Sequence, residues 1–206
     1  MEDHPTMWPL PLPSRRALLI GSAAVLLVLL IAVGAWAWYE AQQRRVQAAH
    51  AEVMLRVEAA ETADAPAEAR AAAARDLEAL LARYPSARTV PQAAYELGNL
   101  RFAAHDYAGA RTAYELAVRH GTGGLLGTLA RSGIGRTWEA QRDFGKAADA
   151  YGALVKDLDP RNFLYEDALI DHARALDLAG RKPEAVQAYQ RVLKDVPTAR
   201  RADEVR

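Results

Sequence analysis

The sequence predicts an all-α protein, an N-terminal transmembrane helix followed by an α-solenoid of paired helices. Three observations carry that prediction. Alanine, the strongest helix former, fills 45 of the 206 positions, and Val, Ile and Thr are sparse outside the first segment. An uncharged apolar run covers residues 17–39. Beyond it, alanines recur at Ala73, Ala110, Ala147 and Ala185, spaced 37, 37 and 38 residues apart. Each is followed four residues later by a large side chain: Leu77, Tyr114, Tyr151 and Tyr189.

Composition narrows the function. The chain carries 26 basic and 26 acidic residues, so no broad basic face is expected and a nucleic-acid partner is not supported. Cysteine is absent, which removes disulfides, thiolate metal sites, iron–sulfur clusters and cysteine nucleophiles.

Residues 1–16 are expected to form a disordered tail, because Pro5, Pro9, Pro11 and Pro13 remove backbone donors and keep a helix from starting. Residues 17–39 follow as the transmembrane helix. Their 23 residues span a bilayer core of about 30 Å at about 1.5 Å per residue. Arg15 and Arg16 close one end, and Trp36, Trp38 and Tyr39 supply an interfacial aromatic belt at the other. A cleaved signal peptide is the alternative, with Ala35-Trp36-Ala37 as a small-x-small site, although the run exceeds the usual signal core. Counting Lys and Arg leaves orientation open, since Arg44, Arg45 and Arg56 balance Arg15 and Arg16. Residues 40–65 continue the helical pattern without a breaker before Asp64-Ala65-Pro66, and they are expected to form a helical stalk.

Residues 66–206 are expected to form the repeat domain, with units near 89–122, 126–160 and 163–197 preceded by a helix at 67–84. Twelve residues before the last three alanines stands a small residue, Gly98, Gly135 or Ala173, suited to a tight helix crossing. The turn between the two helices of each unit falls at His105-Asp106, Arg142-Asp143 or Gly180-Arg181. Pro85, Pro160 and Pro197 end the second helices. The polar residues 198–206 read as the start of a capping helix.

Tyr95-Glu96-Leu97-Gly98-Asn99-Leu100-Arg101-Phe102, with Tyr107-Ala108-Gly109-Ala110 and Ala113-Tyr114, resembles a tetratricopeptide repeat. Ile134-Gly135 with Trp138, and all four Ala-x3-large pairs, extend the likeness over roughly residues 67–197. The first aromatic of the motif is replaced by Ala94, Arg131 and Leu169, and the period is three or four residues longer than usual. An N-terminal membrane helix followed by such an array is similar to the YfgM family of ancillary translocon subunits, and less closely to the repeat domain of the CpoB cell-division coordinator. The first likeness implies a single-pass bacterial inner-membrane protein with a periplasmic repeat domain that binds proteins as a scaffold or chaperone-like accessory beside the export channel. The second implies an envelope assembly or cell-division coordination factor acting through self-association as a homo-oligomer.

Nothing in the sequence carries catalysis, a cofactor or a metal. His4, His50, His105, His120 and His172 lack ligand spacing, and no serine of Ser14, Ser22, Ser86 and Ser132 sits in a nucleophile elbow. Asp157, Asp159, Glu166 and Asp167 read as a solvated acidic loop. Gly121-Thr122-Gly123-Gly124-Leu125-Leu126-Gly127 follows a helix and lacks the completion of a phosphate loop, so it reads as an extended connection. What remains is a binding surface. By motif position the resemblance puts Tyr95, Asn99, Phe102, Ser132, Arg136, Glu139, Ile170, Arg174 and Asp177 in a concave groove for proteins or peptides, with the bilayer as the partner of residues 17–39. A carboxylate clamp of the kind some repeat proteins use is not reproduced, because Asn99 fits its pattern and Tyr95 and Gly133 do not.

Overall fold

The computed structural model describes residues 14–62, 64–121 and 124–195. Among the described residues every regular element is an α-helix: α1 Arg15–Ala60, α2 Ala67–Arg83, α3 Val90–Ala103, α4 Tyr107–His120, α5 Leu125–Ala140, α6 Phe144–Asp157, α7 Tyr165–Leu178 and α8 Lys182–Asp195. The expected tail at 1–13, Thr122 and Gly123 of the glycine cluster, and the expected capping helix at 198–206 lie outside the described residues. Arg15 and Arg16, expected in the tail, are helical.

The chain divides into a unit of residues 1–45 and a unit of residues 46–206. In the first, α1 exposes Leu19, every large aliphatic from Val25 to Ile31, and Val33, Trp36 and Trp38. A helix segment whose described apolar side chains are exposed along its length is suited to hydrocarbon and not to water. It is long and apolar enough to cross a membrane.

In the second unit, Val46, His50, Val53, Val57 and Ala60 of α1 are buried. Their spacing of three and four residues makes one helical stripe. Val53, Val57 and Ala60 share a core with Ala73, Leu77 and Leu80 of α2 and with Ala93, Leu97 and Leu100 of α3. Residues 46–60, expected as part of a stalk, therefore pack as a helix of the array. Arg56 pairs with Asp76 at 3.2 Å, and Arg70 Nε donates to the Ala60 carbonyl at 3.3 Å, which ties down the connection to α2.

The pairs α3/α4, α5/α6 and α7/α8 repeat one design. Each first helix ends in a Schellman motif whose left-handed residue is His105 (φ 61°), Arg142 (φ 60°) or Gly180 (φ 76°). The amide of Asp106 donates to the Arg101 carbonyl, that of Asp143 to Trp138 and that of Arg181 to Leu176, all at 2.9 Å. Asp106 and Asp143 then cap the second helices, accepting from the amides of Gly109 at 2.9 Å and Lys146 at 3.2 Å. Arg181 replaces the aspartate in the third pair and bridges Asp149 of α6 and Glu184 of α8.

Helix crossings use the glycine–tyrosine pairing implied by the repeat. A Cβ built on Gly98 would approach Tyr114 Cζ to 2.9 Å, and one on Gly133 would approach it to 2.8 Å, so the ring is held between α3 and α5. Gly135 stands likewise against Tyr151. Both tyrosines are completely buried.

Candidate protein-binding groove

The first helices of the pairs, α3, α5 and α7, carry the residues expected to bind partners. On α3, the Tyr95 ring lies 5.9 Å from that of Tyr114. The Tyr114 hydroxyl donates to Asn99 Oδ1 at 2.9 Å, and Asn99 Nδ2 donates to Glu96 Oε2 at 2.9 Å. Burial is the main cause that pushes the Tyr114 phenol up to about 12, so it stays a neutral donor at physiological pH. Burial also raises Glu96, with Asn99 opposing and Glu61 reinforcing the shift.

Phe102 and Arg136 meet across α3 and α5. The guanidinium carbon lies 5.4 Å from the ring centroid, within cation–π range, and Arg136 is exposed. Phe102 also packs edge-on against Tyr107 with centroids 5.4 Å apart. An apolar ring therefore sits beside a solvent-facing cation.

Between α5 and α7 the surface becomes a charged network. Arg174 reaches Glu139 Oε1 at 2.9 Å and Oε2 at 3.2 Å, and Asp171 at 3.0 Å. The Tyr151 hydroxyl donates to Glu139 Oε2 at 3.0 Å. Burial, then the neighbouring Glu139 and Asp171 charges, push the Tyr151 phenol upward. Glu139 is thus fixed from α6 and α7 together.

The expected residues therefore fall into groups. Tyr95 and Asn99 meet through Tyr114, Phe102 meets Arg136, and Glu139 meets Arg174. Asp177 is drawn to the end of α7, where it pairs with Lys182 at 2.6 Å. Ile170 leaves the groove surface: it is 1% exposed and packs in a core with Leu154, Val155, Leu169 and Val192, because a branched apolar side chain there reaches α6 and α8. Ser132 opens onto a cleft of about 480 Å³ between α5 and α7, whose other walls include Leu129, Asp167 and Asp171. Motif position did not select those three. Glu166 and Asp167, expected in a loop, occupy the first turn of α7, where negative charge complements the helix dipole.

Trp138 of α5 is flanked by the Arg111 guanidinium at 3.6 Å and the Lys146 ammonium at 4.5 Å. Arg111 also donates to Gln141 at 2.5 Å, so α4, α5 and α6 are tied together around Trp138.

No protein-family model matches the chain, and no curated protein matches it. Among solved structures it resembles TPR-like repeats of a kinesin light chain-type protein from Podosopora anserina. One such structure is 16% identical, covers 74% of this chain and 75% of that one, and has a TM-score of 0.53. A point variant of the same protein is 16% identical over 77% of this chain and 88% of its own, with a TM-score of 0.52. At that identity the likeness establishes the fold: residues of the second unit form an α-solenoid of TPR-like helix pairs.

Proposed function

We propose that the protein is a membrane-anchored, non-enzymatic scaffold or chaperone-like accessory that binds other proteins through the face made by α3, α5 and α7. The observation that carries the reading is the run from the Phe102–Arg136 contact to the Glu139–Arg174 pair, which sets an aromatic patch beside alternating charges on one side of a repeat array. Residues 17–39 supply the bilayer anchor in this reading, supported by the exposed apolar side chains of α1. The similarity of the layout to the YfgM family supports a bacterial inner-membrane location, a periplasmic array and a place beside the export translocon.

Reporter fusions at Arg206, with carbonate extraction and the mass of the mature chain, test the anchor and its side. A periplasm-active fusion that resists extraction and keeps its N-terminus is expected. A soluble chain shortened near Ala37 would make residues 17–39 a signal peptide, and a cytoplasm-active fusion would discard the envelope reading.

A second reading, an envelope or cell-division factor acting through self-association, draws on α8. Val186 and Leu193 are 54% and 46% exposed, whereas Ala148 and Val155 at the corresponding positions of α6 are covered. Cross-linking of the intact chain that gives a discrete dimer, lost in Val186→Lys, would favour it over the first.

A further inference from the structure

The cleft between α5 and α7 has a composition unlike the rest of the groove. Its apolar walls include Leu129 of α5, Leu154 of α6 and Leu164 at the start of α7, and Ser132 offers a hydroxyl at its side. Asp167 and Asp171, one turn apart on α7, bring two carboxylates to it, and no Lys or Arg lines it. Resting on the groove-binding reading above, we infer that this cleft is a specificity pocket for a single Lys or Arg side chain projected by an extended segment of a partner protein.

The chemistry matches such a side chain part by part. A Lys or Arg presents an aliphatic stem and a charged head, and the stem buries on apolar surface while the head seeks acceptors. The leucines fit the stem, and the two carboxylates with the Ser132 hydroxyl fit the head. Asp171 already accepts from Arg174 at 3.0 Å, but an ionised carboxylate has about four acceptor sites and takes further donors. The volume of about 480 Å³ exceeds what one long side chain needs, so the pocket also admits the flanking backbone.

The acidic pair is local to this repeat. Counted from Gly98, Gly135 and Ala173, the position of Asp167 is held by Gln92 and Leu129 in the other pairs, and that of Asp171 by Glu96 and Gly133. The cleft that holds Asp157 and Asp159 is lined by Arg131 as well, whereas no Lys or Arg is among the residues lining the one between α5 and α7. A basic residue seated there fixes the register of the bound segment. Tyr95 of α3 occupies the same repeat position as Ser132, one first-helix spacing away. That spacing of about 8–10 Å is covered by about three residues of extended chain. The expected recognition pattern is therefore a basic residue and an apolar or aromatic residue about three positions apart.

A positional-scanning library of acetylated nonapeptides tests the pocket against the full chain in mild detergent. The expected result is enrichment of Arg and Lys at one position. Asp167→Asn, which leaves the Asp171–Arg174 pair in place, should reduce that enrichment about five- to tenfold, with a melting temperature lowered only by the loss of one first-turn charge on α7. Ser132→Phe, which fills the cleft, should reduce it similarly. Peptides that bind without a basic preference, or with one that survives both substitutions, would overturn the pocket while leaving the groove reading intact. No binding by any member of the library would overturn both.

Discussion

The ring of Tyr114 occupies the volume that a side chain at Gly98 would need, with Cζ only 2.9 Å from the place of a Cβ. Gly133 closes the other side of the same ring, so Tyr114 has no room to retreat. Gly98→Ala should therefore destabilise the array by about 1–3 kcal/mol through overpacking, which exceeds the gain of about 1 kcal/mol that alanine brings to a helix interior. Gly145→Ala is the control, because nothing but Asp143 Oδ1 at 3.9 Å approaches its Cβ position. Thermal denaturation should show a lower midpoint for the first and an equal or higher one for the second.

The three Schellman turns give a second prediction. Arg142 holds φ at 60° although it has a Cβ, while Gly180 holds 76° at the corresponding turn. Arg142→Gly should stabilise the protein by about 0.5–1 kcal/mol, and Gly180→Ala should destabilise it by about 1 kcal/mol. Opposite shifts in urea midpoint from these two exposed positions would check the assignment of the turns.

One buried and one half-buried imidazole, His50 and His172, set a pH dependence. His172 lies against Gly152 and donates from Nδ1 to the Ala148 carbonyl at 2.9 Å, and burial lowers its pKa below 6.5. Burial lowers His50 in the same way. A base whose folded pKa lies below its unfolded value binds more protons when unfolded, so stability is full above about pH 6.5 and declines as pH falls toward the folded pKa. Glu96, raised by burial, works in the opposite sense, favouring the folded state as pH falls. The melting temperature should therefore drop between pH 7.5 and 5.5, and His172→Asn should flatten the drop. A wild-type curve with no decline across this window would contradict the neutral state of His172.

The Glu139–Arg174 pair supplies a fourth test. Glu139 has a side chain 14% exposed and Arg174 one 41% exposed, so the pair is partly shielded from water. A double-mutant cycle of Glu139→Gln and Arg174→Met should give a coupling of about 1 kcal/mol, held below the value for a fully buried pair by the exposure of Arg174. The coupling should persist in 0.5 M salt, since screening acts mainly on solvated charges.

The repeat was legible in the sequence because its signals are geometric. Gly98, Gly135, Tyr114 and Tyr151 recur at fixed offsets, and those offsets are the helix crossings themselves. The turns at His105, Arg142 and Gly180 followed from the same spacing. Residues 46–60 were less legible, because His50 occupies a core position of their stripe and charged neighbours such as Arg45, Glu52 and Arg56 give the segment a solvated look. Ile170 was misplaced for a related reason: motif position fixes which turn of the helix a residue occupies, and a branched apolar side chain there turns into the core with Val192. Leu129, Asp167 and Asp171 required the juxtaposition of α5 and α7, which no pattern within one helix contains.

Site-specific photo-crosslinking in cells tests the central claim, that the face of α3, α5 and α7 binds protein. A photoreactive residue at Phe102 or Arg136 should give a discrete adduct with another protein, while the same residue at Glu115, exposed on α4, should give none. Equal adducts at all three positions, or none at Phe102 and Arg136, would contradict it.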